Sequence, residues 1–407
     1  MPEQRNAARV ALVAPFGLRP KGTTVARVLP IGRVLAGLGA AVQVIVPPWD
    51  DRGRAGDCWQ QDGLQIVHTR APGGPFEAGV ILSDLARRVA DFRPDVVHAF
   101  KPIGYSGAIA FWLAIRGADH RGPRLIVDTD DLEGPAGWAG RRKLGLSGWV
   151  RGQQELRVLR TVSRVTVASQ WLAEYAMKLG HPSTHVFYLP NGHNETPEGA
   201  AEVYGAQASS NGGGGVSLLW YTRFTETTTN RAASLFVPLL RDDEALRLAV
   251  IGEEIAEGAR AALGAAFTAG DVAYQIDWLG YQPQGIERYL ARHSGRVVAV
   301  YPMDDDAVNR ARCPSKVPQL MALGVPIVAE AVGEVARYLA GFEDPCLVTP
   351  NDMLAFRSKV RALASEGQLR RSLADRLRIA AERWTWKSTA AHLLNWYLGA
   401  PDDSTHS

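Results

Sequence analysis

Short aliphatic runs recur along this chain, and most are apolar at consecutive positions rather than at alternating ones. ARVALVAPF, AVQVIVPP, PDVVHAF, PRLIVDTD, SRVTVAS and HVFYLPNG read as strands of a first sheet. Between them the apolar positions take a helical spacing over Gly79–Phe92, Gly104–Ile115 and Gln170–Leu179. Strands without alternation are covered on both faces, and intervening helices supply the crossovers of a parallel sheet. A polar, glycine-rich break from Asn191 to Gly215 has no periodicity and reads as a linker. The pattern restarts with VSLLWYTRF, LRLAVIGEE, YQIDWLGY, GRVVAVYP and VPIVAEA. The expected organisation is α/β: two doubly wound domains, 1–192 and 216–384, joined by a linker over 193–215. The last helical segment, roughly Thr385–Leu398, carries Trp386, Leu393, Leu394, Trp396 and Tyr397. So apolar a terminal helix, about 385–400, is expected to pack back on the first domain. Paired domains of this kind bind ligand in a cleft faced by the carboxyl ends of both sheets. Residues just after each strand therefore carry the candidate chemistry.

Composition narrows the function classes. At 407 residues the chain exceeds one ordinary core, and 46% hydrophobic with 21% charged residues is a globular balance. A net charge of +3 is too small an excess to argue for nucleic acid. Cys58, Cys313 and Cys346 lie far apart, without zinc-ligand spacing, which fits a reducing compartment. The amino-terminal apolar run is too short for a signal segment, and no stretch is long enough to span a bilayer. A cytoplasmic protein is expected, with peripheral contact at the inner membrane face open through 141–164.

The richest stretch is NRARCPSKVPQLMALGVPIV, Asn309 to Val328. Ser315 suits an N-cap, Pro318 is tolerated in a first turn, and Val317, Leu320, Met321 and Leu323 form an apolar face. A helix start beside Arg310, Arg312 and Lys316 makes an anion site. An ordinary helix–strand unit with solvated cations fits the same residues. PFGLRPKGTT, Pro15 to Thr24, offers Gly17 and Gly22 for close backbone approach and Lys21 for charge, although a plain βα turn reads equally well. It is not GxGxxG, which disfavours a nicotinamide dinucleotide. His98 lies inside an apolar strand, more often the place of a core residue than of a catalyst, and Lys101 past its end is better placed for ligand. Asp128, Asp130, Asp131 and Glu133 crowd the end of the next strand. They either cap the following segment or bind cations, hydroxyls or arginine, and no spacing requires a metal. The basic segment 141–164 holds Arg141, Arg142, Lys143, Arg151, Arg157, Arg160 and Arg164 against Glu155 alone. It reads as a solvated helix face, or as a surface for an anionic membrane or acceptor. Arg223 follows a strand directly and suits bidentate phosphate contact. Asp304, Asp305 and Asp306 could accept ring hydroxyls, or form a polar loop.

In order and spacing these motifs resemble the GT-B fold glycosyltransferases, and within them the large retaining family usually numbered four. The resemblance runs almost end to end: the Gly17–Gly22 loop, PDVVHAFKP, VTVASQWL, YLPNG, YTRF, AVIGE, WLGY and PSKVPQLMALGVPIVAEAVGE. It implies two Rossmann-like domains. A sugar, hexosyl in type, moves from a nucleotide diphosphate donor to an acceptor with its anomeric configuration kept and without a metal. The first domain would bind the acceptor and the second the nucleotide sugar. Arg223 matches the arginine that clamps the diphosphate. The family's paired glutamates fall at Ala311 and Gln319, its lysine at Thr228, and its HxH motif reads His98–Ala99–Phe100. Lys316 is the candidate to replace the lost charge, so Arg223 and Lys316 form the expected catalytic pair, with Arg312 second to Lys316. Gly17, Lys21, Gly22, Asp306, Asn309, Arg312, Ser315 and Gln319 are the expected donor contacts. His98, Lys101, Asp128, Asp130, Asp131 and Glu133 are the expected acceptor contacts. The base of the donor, UDP, GDP or dTDP, stays open. So do the acceptor (a small molecule, a lipid-linked or a cell-wall precursor) and the choice between monomer and homodimer. Beside the transferase stand a non-catalytic nucleotide-sugar-binding or partner subunit and a nucleotide-sugar 2-epimerase.

Overall fold

The computed structural model describes residues 7–18, 22–118, 122–141, 144–194, 215–255, 257–282, 286–293 and 295–399. Lys21, Arg142, Lys143 and nearly all of the proposed linker lie outside them. Contacts divide the chain into two compact units. One takes in the chain through Asn191 with Ala311–Cys313 and the segment from Trp386; the other holds Gly192–Arg310 and Pro314–Thr385.

The first unit has one eight-stranded sheet. Its strands are β1 (Arg9–Val13), β2 (Ala41–Val46), β3 (Cys58–Gln61), β4 (Leu64–His68), β5 (Val96–Phe100), β6 (Arg124–Thr129), β7 (Arg164–Val167) and β8 (Val186–Tyr188). Their order is β3-β4-β2-β1-β5-β6-β7-β8, and only the β3–β4 pair is antiparallel. That pair is a hairpin the aliphatic pattern does not announce. Gln61 faces Leu64 across a two-residue loop in which Asp62 and Gly63 both have positive φ, 51° and 77°. An Asp-Gly loop is favoured there because its twist matches that of the strands. The core packs β1, β2 and β4 against the helix Leu29–Gly37, and it also takes in Trp386, Ala390, Leu393 and Tyr397. The terminal segment forms two short helices, Trp386–Thr389 and Leu393–Leu398, rather than one continuous helix.

The second unit has a six-stranded, all-parallel sheet: β9 (Ser217–Tyr221), β10 (Arg247–Ile251), β11 (Ile276–Gly280), β12 (Val297–Tyr301), β13 (Ile327–Glu330) and β14 (Leu347–Val348). The order is β11-β10-β9-β12-β13-β14. Chain direction across the sheet reverses between β9 and β12, as it does between β1 and β5 in the first sheet. Crossovers diverge at such a point and leave a crevice at the strand ends. The loops after β1, β5, β9 and β12 stand at these two crevices. Every residue of β5, β12 and β13 is buried, which is why these runs are apolar throughout. Among the described residues, no helix is long and apolar enough to cross a membrane.

Candidate functional site

In the second unit, β9 ends at Tyr221 and the chain turns at once through Thr222–Thr228. Phe224 takes a left-handed backbone (φ 58°), and its N–H donates to Thr222 Oγ1 at 2.8 Å. The turn is wound around the carboxylate of Glu226, which is buried. Glu226 Oε2 accepts from Thr222 Oγ1 (2.8 Å), the Thr225 N–H (3.1 Å) and the Arg223 N–H (3.3 Å). Its Oε1 accepts from Lys316 Nζ at 3.0 Å, and that ammonium also donates to the Tyr221 carbonyl at 3.1 Å and lies over the Tyr221 ring. One carboxylate therefore ties the Arg223 backbone and the Lys316 side chain to the same loop. Beyond it, Asp304 accepts from Thr227 Oγ1 (2.8 Å), the Thr228 N–H (3.0 Å) and Arg231 Nη1 (3.1 Å), while Arg231 also pairs with buried Glu330.

Beside this loop lies an open pocket of about 380 Å³ at the carboxyl ends of β9, β10 and β11. Phe224, Gly252, Glu253, Arg260, Trp278 and Tyr281 are among its lining residues, and the Arg260 guanidinium lies 5.1 Å over the Trp278 ring. Gly252 has φ 132°, and a Cβ there would stand 1.8 Å from the Thr222 carbonyl oxygen. Only glycine lets β10 end so close to the loop after β9.

The first unit holds a buried polar chain under the ends of β5, β6 and β7. Arg27 makes a two-bond pair with Asp128 (2.8 and 2.6 Å) and also donates to the Asn191 side chain and the Leu189 carbonyl. Burial alone lowers an arginine's pKa, but the Asp128 charge and hydrogen bonds outweigh it and hold Arg27 above its ordinary value. Thr166 Oγ1 donates to Asp128 at 2.6 Å, so it can only accept from His98 Nε2 at 2.9 Å. His98 therefore carries its proton on Nε2 and accepts at Nδ1 from the Tyr397 hydroxyl, 2.5 Å away. Burial first, then the Arg27 charge, push the His98 pKa well down, so the ring is neutral. At the crevice itself Lys101, at φ 67°, places Nζ among Asp130 (2.7 Å), Asp131 (3.2 Å) and Glu133 (2.5 Å). Desolvation opposes its charge, but the three carboxylates win and raise its pKa well above the usual lysine value. These carboxylates are close enough together to hold a metal ion, and an ammonium already supplies the counter-charge. Nearby Glu155 accepts from the Glu133 and Gly134 N–H groups, and burial raises its pKa to about 7.

Comparison with known proteins decides what this architecture is. A glycosyl transferase 4-like domain matches residues 22–192, and a glycosyl transferases group 1 domain matches residues 218–366. This chain is a GT-B glycosyltransferase of the family-four type. Sucrose-phosphate synthase from Thermosynechococcus elongatus shares the fold of this glycosyltransferase with a TM-score of 0.70 at 16% identity, covering 96% of this chain and 98% of that one. A glycosyltransferase from Rickettsia africae gives 0.66 at 12%, covering 98% and 100%. Anabaena Alr3699/HepE, in complex with UDP and glucose, gives 0.66 at 13%, covering 96% and 99%. No curated protein matches the glycosyltransferase by sequence.

Within the glycosyltransferase, Arg223 and Lys316 converge on one loop, and three of the expected contacts are buried and bonded inside the protein. His98 and Asp128 are fully buried and bonded within the chain just described, where they hold the sheet's end together. Asn309 is equally buried, its amide donating to the Glu226 (2.8 Å) and Asp304 (2.7 Å) carbonyls, so it shapes the loop. The other expected contacts have protein partners of their own. Asp306 accepts from the Asn309 N–H and starts the helix Ala307–Ala311. Ser315 stands at the N-cap of Lys316–Ala322, but its backbone is helical and its hydroxyl makes no capping bond. Gln319 donates to Glu287 at 3.3 Å. Arg312 groups with the first unit, over the Trp138 ring, whereas Lys316 belongs to the second. The Gly17 N–H is taken by Asp50 at 2.7 Å, while Gly22 accepts from the Val25 and Ala26 N–H groups and opens a helical turn. Thr228, at the place of the family lysine, caps the helix Thr229–Arg241 by accepting from the Arg231 N–H. In the basic segment Arg151, Arg157 and Arg160 are exposed on the helix Gly145–Thr161. Glu226, Arg27 and Tyr397 carry much of this geometry and stand in no motif; the signal for Arg27 is a lone charge within the apolar VARVLP run.

Proposed function

We propose that this glycosyltransferase is a retaining, hexosyl-transferring enzyme that uses a nucleoside diphosphate sugar. The carrying observation is that the pocket beside β9–β11 runs directly into the loop of Arg223, with Phe224 belonging to both. In this reading the nucleoside enters the pocket against Trp278 and Arg260, with Glu253 lining the side where the ribose lies. The diphosphate then lies against Arg223 and Lys316. Glu226 holds the Lys316 ammonium and the Arg223 main chain in place before the donor arrives, and a charge preorganised in this way stabilises the leaving group without reorganisation at the moment of reaction. The bond from the anomeric carbon to the diphosphate oxygen breaks, and a bond from that carbon to the acceptor oxygen forms on the same face. The acceptor proton passes to the departing diphosphate. Counter-charge for the diphosphate comes from these two side chains, and no divalent ion is assigned.

A panel of UDP, GDP and dTDP in a melting assay tests the pocket, with UDP first because Alr3699/HepE was solved with UDP and with UDP-glucose. Ligand at about a hundred times its dissociation constant adds roughly 2.7 kcal/mol, a readily measured rise. No response to any of the three removes the nucleoside assignment. Product stereochemistry tests the rest: an inverted anomeric centre overturns retention, and turnover abolished by EDTA overturns the metal-free reading.

A further inference from the structure

At the amino end of the second sheet, away from the Arg223 loop, lies a smaller pocket of about 110 Å³. Gly295 and Val297 line it where β12 begins, and Gly324 and Pro326 line it just before β13. Leu290, His293 and the helix Gly367–Ala381 complete the wall, and the helix brings Arg370, Arg371 and Arg378 to the same space with Asp375, the one carboxylate among the described lining residues.

The three guanidinium groups are poorly compensated. Arg370 donates to the main-chain carbonyls of Leu363 (2.6 Å), Ala364 (2.7 Å) and Gly295 (3.2 Å), none of which carries charge. Arg378 gives Nη1 to Asp375 at 2.6 Å, while its Nε is buried without a hydrogen-bond partner among the described residues. Arg371 is exposed at the mouth and has no acidic partner among the described residues. Burial, and then the charge of Arg371, hold the Arg370 pKa below the ordinary arginine value. Gly324 (φ 65°) lets the Arg378 guanidinium pack directly against the main chain: a Cβ there would lie 2.4–2.6 Å from three of its atoms.

We propose that this pocket binds a phosphate-sized oxyanion, either free or as the phosphate of a small monoester, between Arg371 and Arg378. Planar guanidinium donors match the paired oxygens of such an ion, and an apolar floor of Leu290, Val297 and Leu323 strengthens the attraction by excluding water. A pocket of about 110 Å³ is roomy enough for a small tetrahedral oxyanion. The site is independent of the donor pocket, and its test separates the two.

The test is calorimetric titration of inorganic phosphate, and separately of glycerol phosphate, into the full chain at fixed ionic strength in chloride. Saturable one-to-one phosphate binding is expected, weakened about tenfold or more in Arg371→Gln and in Arg378→Gln. Arg371 is exposed, so its variant keeps the fold, which an unchanged melting midpoint without ligand verifies. Phosphate binding should persist in Arg223→Ala. Loss there would move the anion to the diphosphate loop and overturn the proposal, as would equal binding in wild type and both glutamine variants, or no saturable binding at all. Glycerol phosphate binding as tightly as phosphate identifies monoesters as ligands; phosphate binding alone restricts the pocket to the free ion.

Discussion

Glu226 shows how one buried carboxylate organises a basic site. It pairs with the Lys316 ammonium and accepts from the Arg223 N–H, so a single carboxylate fixes both the lysine and the main chain of the loop. Arg223→Ala is expected to lower kcat/KM by about 10²–10³, the usual loss for one preorganised stabilising group. Circular dichroism should show the fold unchanged, and near-normal turnover would remove Arg223 from the site. Glu155 gives a pH prediction. Its folded pKa of about 7 lies above the ordinary glutamate value of 4.5, because burial penalises its charge. Between those values the folded chain holds a proton that the unfolded chain has lost. Stability from this group is thus complete below pH 4.5 and falls as pH rises to about 7. At 1.36 kcal/mol per unit the loss is about 3 kcal/mol. Glu155→Gln should flatten that slope, so urea midpoints at pH 5 and pH 8 should differ less in the variant than in wild type. Identical slopes would refute the assignment.

At the scale of elements, strand ends decide what the site can be. A glycine follows β10 because the loop after β9 passes over that point, so Gly252→Ala forces a side chain into a backbone carbonyl. A loss of about 1–3 kcal/mol is expected, together with the melting response to UDP. An alanine variant that kept both would show that the loop can move aside. The β3–β4 hairpin teaches a related lesson. CWQQ and LQIVH are weakly apolar, and their Asp-Gly turn is a stronger signal than either strand. Aliphatic runs find strands buried on both faces and pass over an edge pair such as this one. β14, with two residues, leaves no pattern at all.

At the scale of the whole molecule, the first unit is closed by residues from the far end of the chain. Trp386, Leu393 and Tyr397 are buried in its core, and Tyr397 donates to His98 across 299 positions of sequence. Burying each such side chain contributes about 1.5–3 kcal/mol, so together they rival the net stability of a domain. A chain ending at Thr385 should therefore lose the melting transition of its first unit. A milder Tyr397→Phe leaves His98 Nδ1 without a donor and should cost about 1–3 kcal/mol. A truncated chain that melted like the full one would refute this role.

By itself the sequence determined the α/β class, the succession of buried parallel strands, and the family, because these depend on local apolar runs and on motifs near in sequence. It also singled out Arg223 and Lys316, since each flanks an element whose start or end is locally marked. Only the tertiary structure decided which charges have protein partners. Asp128 meets Arg27 101 positions away, and Lys101 meets three carboxylates from the next strand's end. Lys316 meets Glu226 90 positions away. A charged residue reads the same in sequence whether it faces ligand or a buried counter-ion. The difference is made by neighbours that the crossovers of a parallel sheet bring together from distant parts of the chain.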